Sequence, residues 1–196
     1  MTLPQNNPLP RRIVVVGTSG SGKTTFVRNL AERLGIPHVE LDAIHWGPDW
    51  TPAPVDLFRA RTAQALSDEA WSVDGNYSAV REIVWPRADT IVWLDYALPV
   101  VMSRVIVRTF RRVLTREELW SGNRERASTA IFGRDSIIWW ALTTYGRRRR
   151  EYPALFRQPE FAHLRIVRLR SPRQARLWLE SLPAANRQPD LGGNRP

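Results

Sequence analysis

The pattern of hydrophobic and polar positions predicts a strand, a loop and a helix at the start of the chain. The segment RIVVVG (12–17) is a short β-branched run stopped by glycine, which is typical of a buried strand. After a polar loop, TTFVRNLAERLG (24–35) has the spacing of an amphipathic helix that ends at its glycine. Its inward stripe consists of Val27, Leu30, Ala31 and Leu34.

The same patterns continue over the rest of the chain. Further strands are predicted for HVEL (38–41), WSVDG (71–75), TIVWLD (90–95) and LRIVRLR (164–170). Further helices are predicted for Val55–Glu69, Pro99–Arg112, 135–146 and 171–182. In the third of these helices we expect Asp135 as the N-cap and Gly146 near the end. Strands alternating with helices predict an α/β fold of three layers, with a mostly parallel five-stranded sheet between helices.

The helix predicted for Pro99–Arg112 separates apolar from cationic residues. Its apolar face holds Val101, Met102, Val105 and Ile106. The opposite face holds Arg104, Arg108, Arg111 and Arg112. This helix is therefore expected to present a cationic ridge.

Composition adds the domain limits. A chain of 196 residues with 43% hydrophobic content is sufficient for one core, which we assign to residues 12–182. The ends, 1–11 and 183–196, are rich in Pro, Asn, Gln and Gly and are expected to be flexible. The first residues contain no apolar signal segment, and the longest uncharged run, SIIWWALTTYG, is too short to cross a bilayer. We therefore expect a cytoplasmic protein without a membrane partner, and the lack of cysteine excludes disulfides and thiolate metal sites.

Charge points to an anionic partner. The net charge is +10, and twelve arginines lie between Arg104 and Arg150. Nucleotide phosphates, nucleic acid and acidic membrane surfaces all fit such a segment, and charge alone does not choose among them.

The loop after the first strand favours nucleotide phosphates among these three anionic partners. GTSGSGKT (17–24) matches the phosphate-binding pattern G-x-x-x-x-G-K-[ST] between a strand and a helix. Its glycines let backbone N–H groups converge on phosphate oxygens, and the helix adds its positive end. The predicted nucleotide-binding residues are Gly17, Thr18, Ser19, Gly20, Ser21, Gly22, Lys23, Thr24 and Thr25. The hydroxyl of Thr24 is expected to ligate Mg²⁺.

Lys23 is the only lysine among the 29 basic residues. A slim ammonium can extend along its own loop to the β and γ phosphates, where a broad guanidinium fits poorly. The lack of a second lysine also argues against the Asn-Lys-x-Asp guanine element of typical GTPases. ATP is therefore the expected nucleotide.

Three segments, together with the loop at 17–24, carry a family resemblance. LDAIHW (41–46), VDGNYS (73–78) and LDYALPVVMSRVIVR (94–108) resemble the adenylate-kinase-like proteins known as DNA topology modulation proteins. They belong to the nucleoside monophosphate kinase superfamily, to which shikimate and gluconate kinases are similar. The resemblance covers roughly Arg12 to Leu182. It implies a P-loop NTPase fold, ATP and Mg²⁺ as cofactors, and an arginine-rich helical lid at about 109–150.

The resemblance also implies catalytic roles. Asp74 matches a carboxylate that holds a water of Mg²⁺, although Asp-Gly is also a common turn at the end of a strand. Asp95, Arg104 and Arg108 match a spacing in which the first arginine stacks on adenine and the second contacts phosphate. Independently, Arg104 and Arg108 lie one helical turn apart and can neutralise a transferred phosphoryl group. A solvated helix face is the alternative for both arginines.

On the acceptor side, Asp42 matches the substrate carboxylate of sugar-acid and shikimate kinases, with a helix or turn cap as the alternative. We expect this side to be completed by Trp46, Gly75, Asn76 and Tyr77. His45 is either a pocket wall or structural. Nucleoside monophosphate kinases usually continue Asp-Gly with Phe-Pro-Arg, and the different residues here put AMP in doubt as the acceptor.

Other aromatic and basic residues have less specific interpretations. Trp139 and Trp140 are predicted as core or dimer contacts rather than stacking platforms, and Arg147–Arg150 as a solvated helix end.

The function predicted from sequence is transfer of the γ-phosphoryl of Mg-ATP to a nucleotide or other small acceptor by a monomer or homodimer. Two alternatives stay open: an ATP-dependent nucleic-acid-binding protein, and a nucleotide-binding protein without turnover.

Overall fold

A five-stranded parallel sheet forms the centre of the protein. The computed structural model describes residues 9–124 and 136–185. The strands are β1 (Arg12–Gly17), β2 (His38–Glu40), β3 (Trp71–Asp74), β4 (Thr90–Leu94) and β5 (Arg165–Leu169). Their order across the sheet is β2-β3-β1-β4-β5, and each neighbouring pair is parallel. All five predicted strands are confirmed.

Helices cover both faces of this sheet. They are α1 (Lys23–Leu34), α2 (Leu41–His45), α3 (Val55–Ala65), α4 (Arg81–Val84), α5 (Leu98–Thr115), α6 (Ile137–Leu155) and α7 (Pro172–Ser181). Short 3₁₀ turns occupy Pro48–Trp50, Ser78–Val80, Trp85–Arg87, Trp120–Gly122 and Pro159–Phe161.

Successive side chains of β1 point to opposite faces of the sheet, which explains the three layers. Ile13 and Val15 point into a cluster shared with α1, α5 and α7, whereas Val14 and Val16 point into a cluster shared with β3 and the end of α6. All four side chains are buried because helices cover both faces, as a parallel sheet requires. The predicted three-layer α/β/α class is confirmed.

The strand register brings polar residues to one edge. Val15 lies opposite Asp74, and Gly17 lies opposite Leu94. The loops that follow β1, β3 and β4 therefore begin side by side. Ligands of open α/β sheets bind at this carboxyl edge, so the fold places a site there.

Helix α6 differs most from its predicted form. It continues past Gly146 to Leu155, and Ser136 is the N-cap, accepting a hydrogen bond from the backbone N–H of Trp139. Asp135, the predicted N-cap, lies outside the described residues. Beyond Gly146, burial of Tyr152 against the core favours the longer helix and offsets the cost of about 1 kcal/mol for one internal glycine.

Two further helix predictions need correction. The helix predicted for Val55–Glu69 ends at Ala65, because Leu66 and Ser67 bond to helix carbonyls as a closing turn and the chain then enters β3. In α5 the buried face includes Thr109, whereas Ile106 is exposed. Trp139 and Trp140 are 47% and 50% exposed, so the core alternative is wrong for both, and the dimer contact stays a prediction.

Among the helices in residues 9–124 and 136–185, none is both long enough and apolar enough to cross a bilayer.

Candidate active site

The loop between β1 and α1, residues 17–24, is called the P-loop here. Gly20 and Gly22 adopt left-handed φ values of 83° and 86°, which favour glycine. A Cβ on Gly20 would lie 2.2 Å from Cγ2 of Val105, so the loop lies directly against α5. Gly22 is the N-cap of α1 and supplies no side-chain cap. The first N–H groups of α1 therefore lack an intrahelical partner and suit phosphate oxygens.

Lys23 folds back over the P-loop. Its Nζ donates hydrogen bonds to the carbonyl oxygens of Gly17 and Thr18, at 3.1 and 3.4 Å. Burial lowers the pKa of Lys23 to about 8, against the opposing attraction of Asp74 and Asp42. The charges that favour the ammonium therefore come from the end of β3, where Asp74 lies, and from Asp42 in α2.

Asp74 joins β3 to the first turn of α1. Its Oδ2 accepts a 2.6 Å hydrogen bond from Oγ1 of Thr24, and its Oδ1 lies 3.0 Å from Nε2 of His38. The carboxylate is 3% exposed and therefore held in one orientation. His38 was not predicted from sequence, because it lies on β2 with no motif around it.

The pair of Thr24 and Asp74 fits a Mg²⁺ ion. Both offer oxygen, the donor that Mg²⁺ prefers, and Mg²⁺ usually keeps waters and substrate phosphates as its other ligands. In the described part of the chain, no three His, Cys, Asp or Glu residues are grouped to hold a metal by themselves. This arrangement suits a metal that arrives with a polyphosphate.

Asn76 fastens the start of the P-loop. Its Nδ2 donates to the carbonyl oxygen of Gly17 at 2.6 Å, and its Oδ1 accepts from the N–H of Gly17 at 3.3 Å. The hydroxyl of Tyr152 also donates to Oδ1 at 2.9 Å. The amide therefore ties β1 to α6, although the residue also lines the cleft described below.

Asp42 and Tyr77 contact each other on the side of the site that was predicted from sequence to bind the acceptor. The Tyr77 hydroxyl donates a 2.5 Å hydrogen bond to Oδ1 of Asp42. Burial, and then the charge of Asp42, raise the pKa of Tyr77, so its hydroxyl stays protonated and donates. Gly75 lies two residues before Tyr77, and a Cβ there would lie 2.8 Å from the Leu41 side chain. The close contact brings β3 and α2 together.

His45 belongs to the wall behind this pair. Its ring lies 4.5 Å from Tyr77 and 4.8 Å from Phe58, measured between centroids. Burial lowers its pKa, which favours the neutral imidazole. The structure places it as a structural packing residue.

Arginines from α5 and α6 form the opposite side. Arg104 donates to the carbonyl oxygen of Ser21 at 3.2 Å and lies over the ring of Tyr96. Arg108 donates to Oγ of Ser19 at 3.5 Å. Arg148 donates to the Tyr152 hydroxyl at 2.9 Å and lowers the pKa of Lys23 by its charge.

The predicted helix end at Arg147–Arg150 is only partly solvated. Besides Arg148, Arg149 pairs with Asp95 at 2.8 Å, although its side chain is 41% exposed. Arg168 pairs with the same carboxylate at 2.6 Å. Asp95 therefore anchors α6 and β5 to the end of β4. The pattern of four arginines gave no signal for these separate roles.

These groups surround an open cleft of about 1680 Å³. Predicted residues that line it are Ser19, Lys23, Asp42, Trp46, Gly75, Asn76, Tyr77 and Arg108. Arg112, from the predicted cationic ridge and lid, also lines the cleft. Lining residues not assigned to the site from sequence include Trp50, Trp120, Asn123 and Arg148. Arg104 contacts the P-loop instead. The cleft thus joins a phosphate-binding loop to a carboxylate and several cations.

A sequence model of the AAA domain matches residues 13–189. The chain belongs to this family. The match includes the P-loop, α5 and α6 of this AAA domain.

Two proteins of known activity are similar in sequence. A gluconokinase of Gluconobacter oxydans (strain 621H) is 42% identical over 59 residues, 30% of this chain and 29% of that protein. A shikimate kinase of Synechococcus elongatus is 26% identical over 139 residues, 60% of this chain and 73% of that protein. The chain therefore matches less than a third of the gluconokinase.

A solved structure shows the same fold. The shikimate kinase from Bacteroides thetaiotaomicron superposes with a TM-score of 0.53 at 15% identity, over 88% of this chain and 96% of that one. The coarse resemblance to P-loop kinases is confirmed. The narrower resemblance to DNA topology modulation proteins is not supported by these comparisons.

Proposed function

We propose that this AAA domain is an ATP-dependent small-molecule kinase that phosphorylates a hydroxyl group. One observation carries the proposal: Lys23 of the P-loop and the carboxylate-bearing Asp42 line the same cleft. On this proposal the ammonium would contact the γ-phosphoryl group on its way to an acceptor held near Asp42. The similarity to gluconokinase and shikimate kinase supports the same reaction class.

The nucleotide half of the site is the P-loop. The N–H groups at the start of α1 and the ammonium of Lys23 would hold the β and γ phosphates. Thr24 and Asp74 would hold Mg²⁺, which neutralises phosphate charge when bound. Arg104 and Arg108 would stabilise negative charge on the transferred group.

The acceptor half supplies a base. Asp42 would accept a hydrogen bond from the acceptor hydroxyl through the oxygen that Tyr77 does not bind, and would take its proton. The acceptor oxygen forms the new O–P bond, the bond to the β-bridging oxygen breaks, and ADP leaves. Tyr77 would keep the carboxylate in position, while Trp46, Gly75 and Asn76 line the same side.

Closure would exclude water from this reaction. The region at about 109–150 is our candidate lid, and Arg112 and Arg148 already line the cleft from it. A closed cleft prevents loss of the phosphoryl group to water. Because the proposed reaction needs cytoplasmic ATP, we propose that the protein acts in the cytoplasm.

An acceptor panel tests the proposal. ADP formation is measured by a coupled spectrophotometric assay with Mg-ATP and gluconate, shikimate, other hydroxy acids, sugars and AMP. We expect at least one hydroxy acid to raise ADP formation well above the rate without acceptor. If the protein binds nucleotide but no acceptor changes the rate of ADP formation, the kinase proposal is contradicted. The alternative of a nucleotide-binding protein without turnover would then remain.

A further inference from the structure

Unusual backbone conformations are concentrated beside the cleft. In 9–124 and 136–185, the non-glycine residues with positive φ are Asp49, Trp50, Arg116 and Ser121. They lie in two segments: 46–52, here the acceptor loop, and 116–124, here the junction loop. Non-glycine residues adopt this conformation at a cost of about 1–3 kcal/mol, which surrounding contacts must offset.

Asn123 supplies many of those contacts. Its Oδ1 accepts from the N–H of Trp50 at 2.9 Å, and its Nδ2 donates to the carbonyl oxygen of Gly47 at 2.8 Å. Ser121 adds a 2.8 Å hydrogen bond to the carbonyl oxygen of Trp46. Asn123 is 5% exposed. The two loops are therefore joined into one rigid wall.

Tryptophans form the surface of this wall. Trp46 and Trp50 have centroids 5.7 Å apart with planes at 80°, and Trp50 and Trp120 are 6.3 Å apart at 76°. All three line the cleft. The perpendicular packing fixes their rings in different orientations, so the wall offers rigid aromatic surface.

Cations line the same cleft as the tryptophans. Arg148 lines the cleft from α6, and its buried Nε has no hydrogen-bond partner. Arg116 and Arg124 line the same cleft from the junction loop. Asp42 marks the point where the acceptor hydroxyl would bind. The guanidinium charges along the cleft favour an anionic ligand, which could accept charge-assisted hydrogen bonds from their accessible N–H groups.

From these features we propose that the acceptor is an acid whose hydroxyl is attached to an aromatic framework. The ring would lie against the tryptophan wall, the anionic group would contact Arg148, and the hydroxyl would point to Asp42. This inference rests on the proposed kinase function and specifies its substrate class.

A matched pair of probes tests the ring requirement. 4-(Hydroxymethyl)benzoate and trans-4-(hydroxymethyl)cyclohexanecarboxylate share the acid and the alcohol and differ in aromaticity. Calorimetry is carried out with the full chain saturated with Mg²⁺ and AMP-PNP, a non-hydrolysable ATP analogue. We expect the aromatic acid to bind about 5- to 10-fold more tightly. Neutral 4-methylbenzyl alcohol should bind at least about tenfold more weakly than the aromatic acid.

Variants assign the two preferences to residues. Trp120→Leu should remove the aromatic preference, and Trp139→Leu, at an exposed tryptophan outside the cleft, should keep it. Arg148→Met should remove the preference for the acid, and Arg147→Met should keep it. Circular dichroism verifies that each variant is folded. If Trp120→Leu fails to fold, Trp46→Leu replaces it.

The outcomes separate this inference from the function on which it rests. Equal binding of the two acids, or an aromatic preference that survives in the wall variants, overturns the inference while nucleotide binding persists. Failure of the wild type to bind Mg-AMP-PNP overturns both.

Discussion

Thr24 donates a 2.6 Å hydrogen bond from Oγ1 to Oδ2 of Asp74. The bond connects the first helical turn after the P-loop to the end of the neighbouring strand. His38 holds the other carboxylate oxygen. A hydroxyl and a buried carboxylate therefore converge beside the P-loop.

Replacing Asp74 by Asn should weaken the magnesium dependence of nucleotide binding. The Asn oxygen can still accept from Thr24, so the local structure is kept while the carboxylate charge is lost. We expect the affinity for Mg-AMP-PNP to fall about 10- to 100-fold, with little change for AMP-PNP in EDTA. Titrating Mg²⁺ at fixed nucleotide by calorimetry measures this difference.

Asp95→Asn is the matched control, because Asp95 follows the next strand and is equally buried. It should lower the free energy of unfolding by about 1–2 kcal/mol, since the partly exposed Arg149 and Arg168 lose the charge of their shared partner. Its magnesium dependence should stay normal. An equal loss of magnesium dependence in both variants would refute a specific role for Asp74.

The pKa of Lys23 predicts how nucleotide binding depends on pH. Its pKa is lowered to about 8, so the ammonium loses its proton as the pH rises through 8. Bound phosphate favours the charged form, and binding above pH 8 should therefore take up a proton. The affinity for Mg-AMP-PNP should fall about tenfold per pH unit above 8.

Calorimetry in two buffers of different ionisation enthalpy counts the protons taken up. Lys23→Met should bind weakly with no pH dependence between 7.5 and 9.5. A wild-type affinity that is flat over this range would show that the Lys23 charge does not contribute.

Gly20 and Gly146 should respond to alanine in opposite directions. At Gly20 a Cβ would lie 2.2 Å from Val105 and the φ is left-handed, so Gly20→Ala should lower the free energy of unfolding by about 2–4 kcal/mol. At Gly146, inside α6, a Cβ meets nothing within 4 Å. Gly146→Ala should therefore raise the free energy of unfolding by about 0.5–1 kcal/mol. Urea unfolding of both variants measures whether each substitution raises or lowers the free energy of unfolding.

Replacing Asp42 should slow phosphoryl transfer without weakening nucleotide binding. Asp42→Asn removes the proposed base, and kcat with the hydroxy acid identified by the acceptor panel should fall about 10²- to 10⁴-fold. Tyr77→Phe removes only the hydrogen bond that positions Asp42, and about a tenfold loss is expected. Normal turnover in Asp42→Asn would assign Asp42 to structure alone.

Local patterns were sufficient for the nucleotide half of the site. The β-branched strand, the glycine-rich loop and the amphipathic helix are adjacent in sequence, so their arrangement follows from local rules, and the parallel sheet follows from alternation. The helix ends were harder. Gly146 signals a stop locally, but the buried face of α6 outweighs it.

The acceptor half depends on contacts between distant residues. Asn123 lies 73 positions from Trp50, and Tyr152 lies 76 positions from Asn76, yet each pair is hydrogen bonded. Arg148 and Arg149 are neighbours in a run of four arginines, but the helical turn sends one to the cleft and the other to Asp95. No local pattern separates them.

Calorimetry of Mg-AMP-PNP binding at pH 7, compared between the wild type and Lys23→Met, tests the central claim most directly. The account predicts one site per chain in the wild type and about a 100-fold weaker affinity in a folded Lys23→Met variant. Equal affinities in the two proteins, or no binding to the wild type, would contradict it.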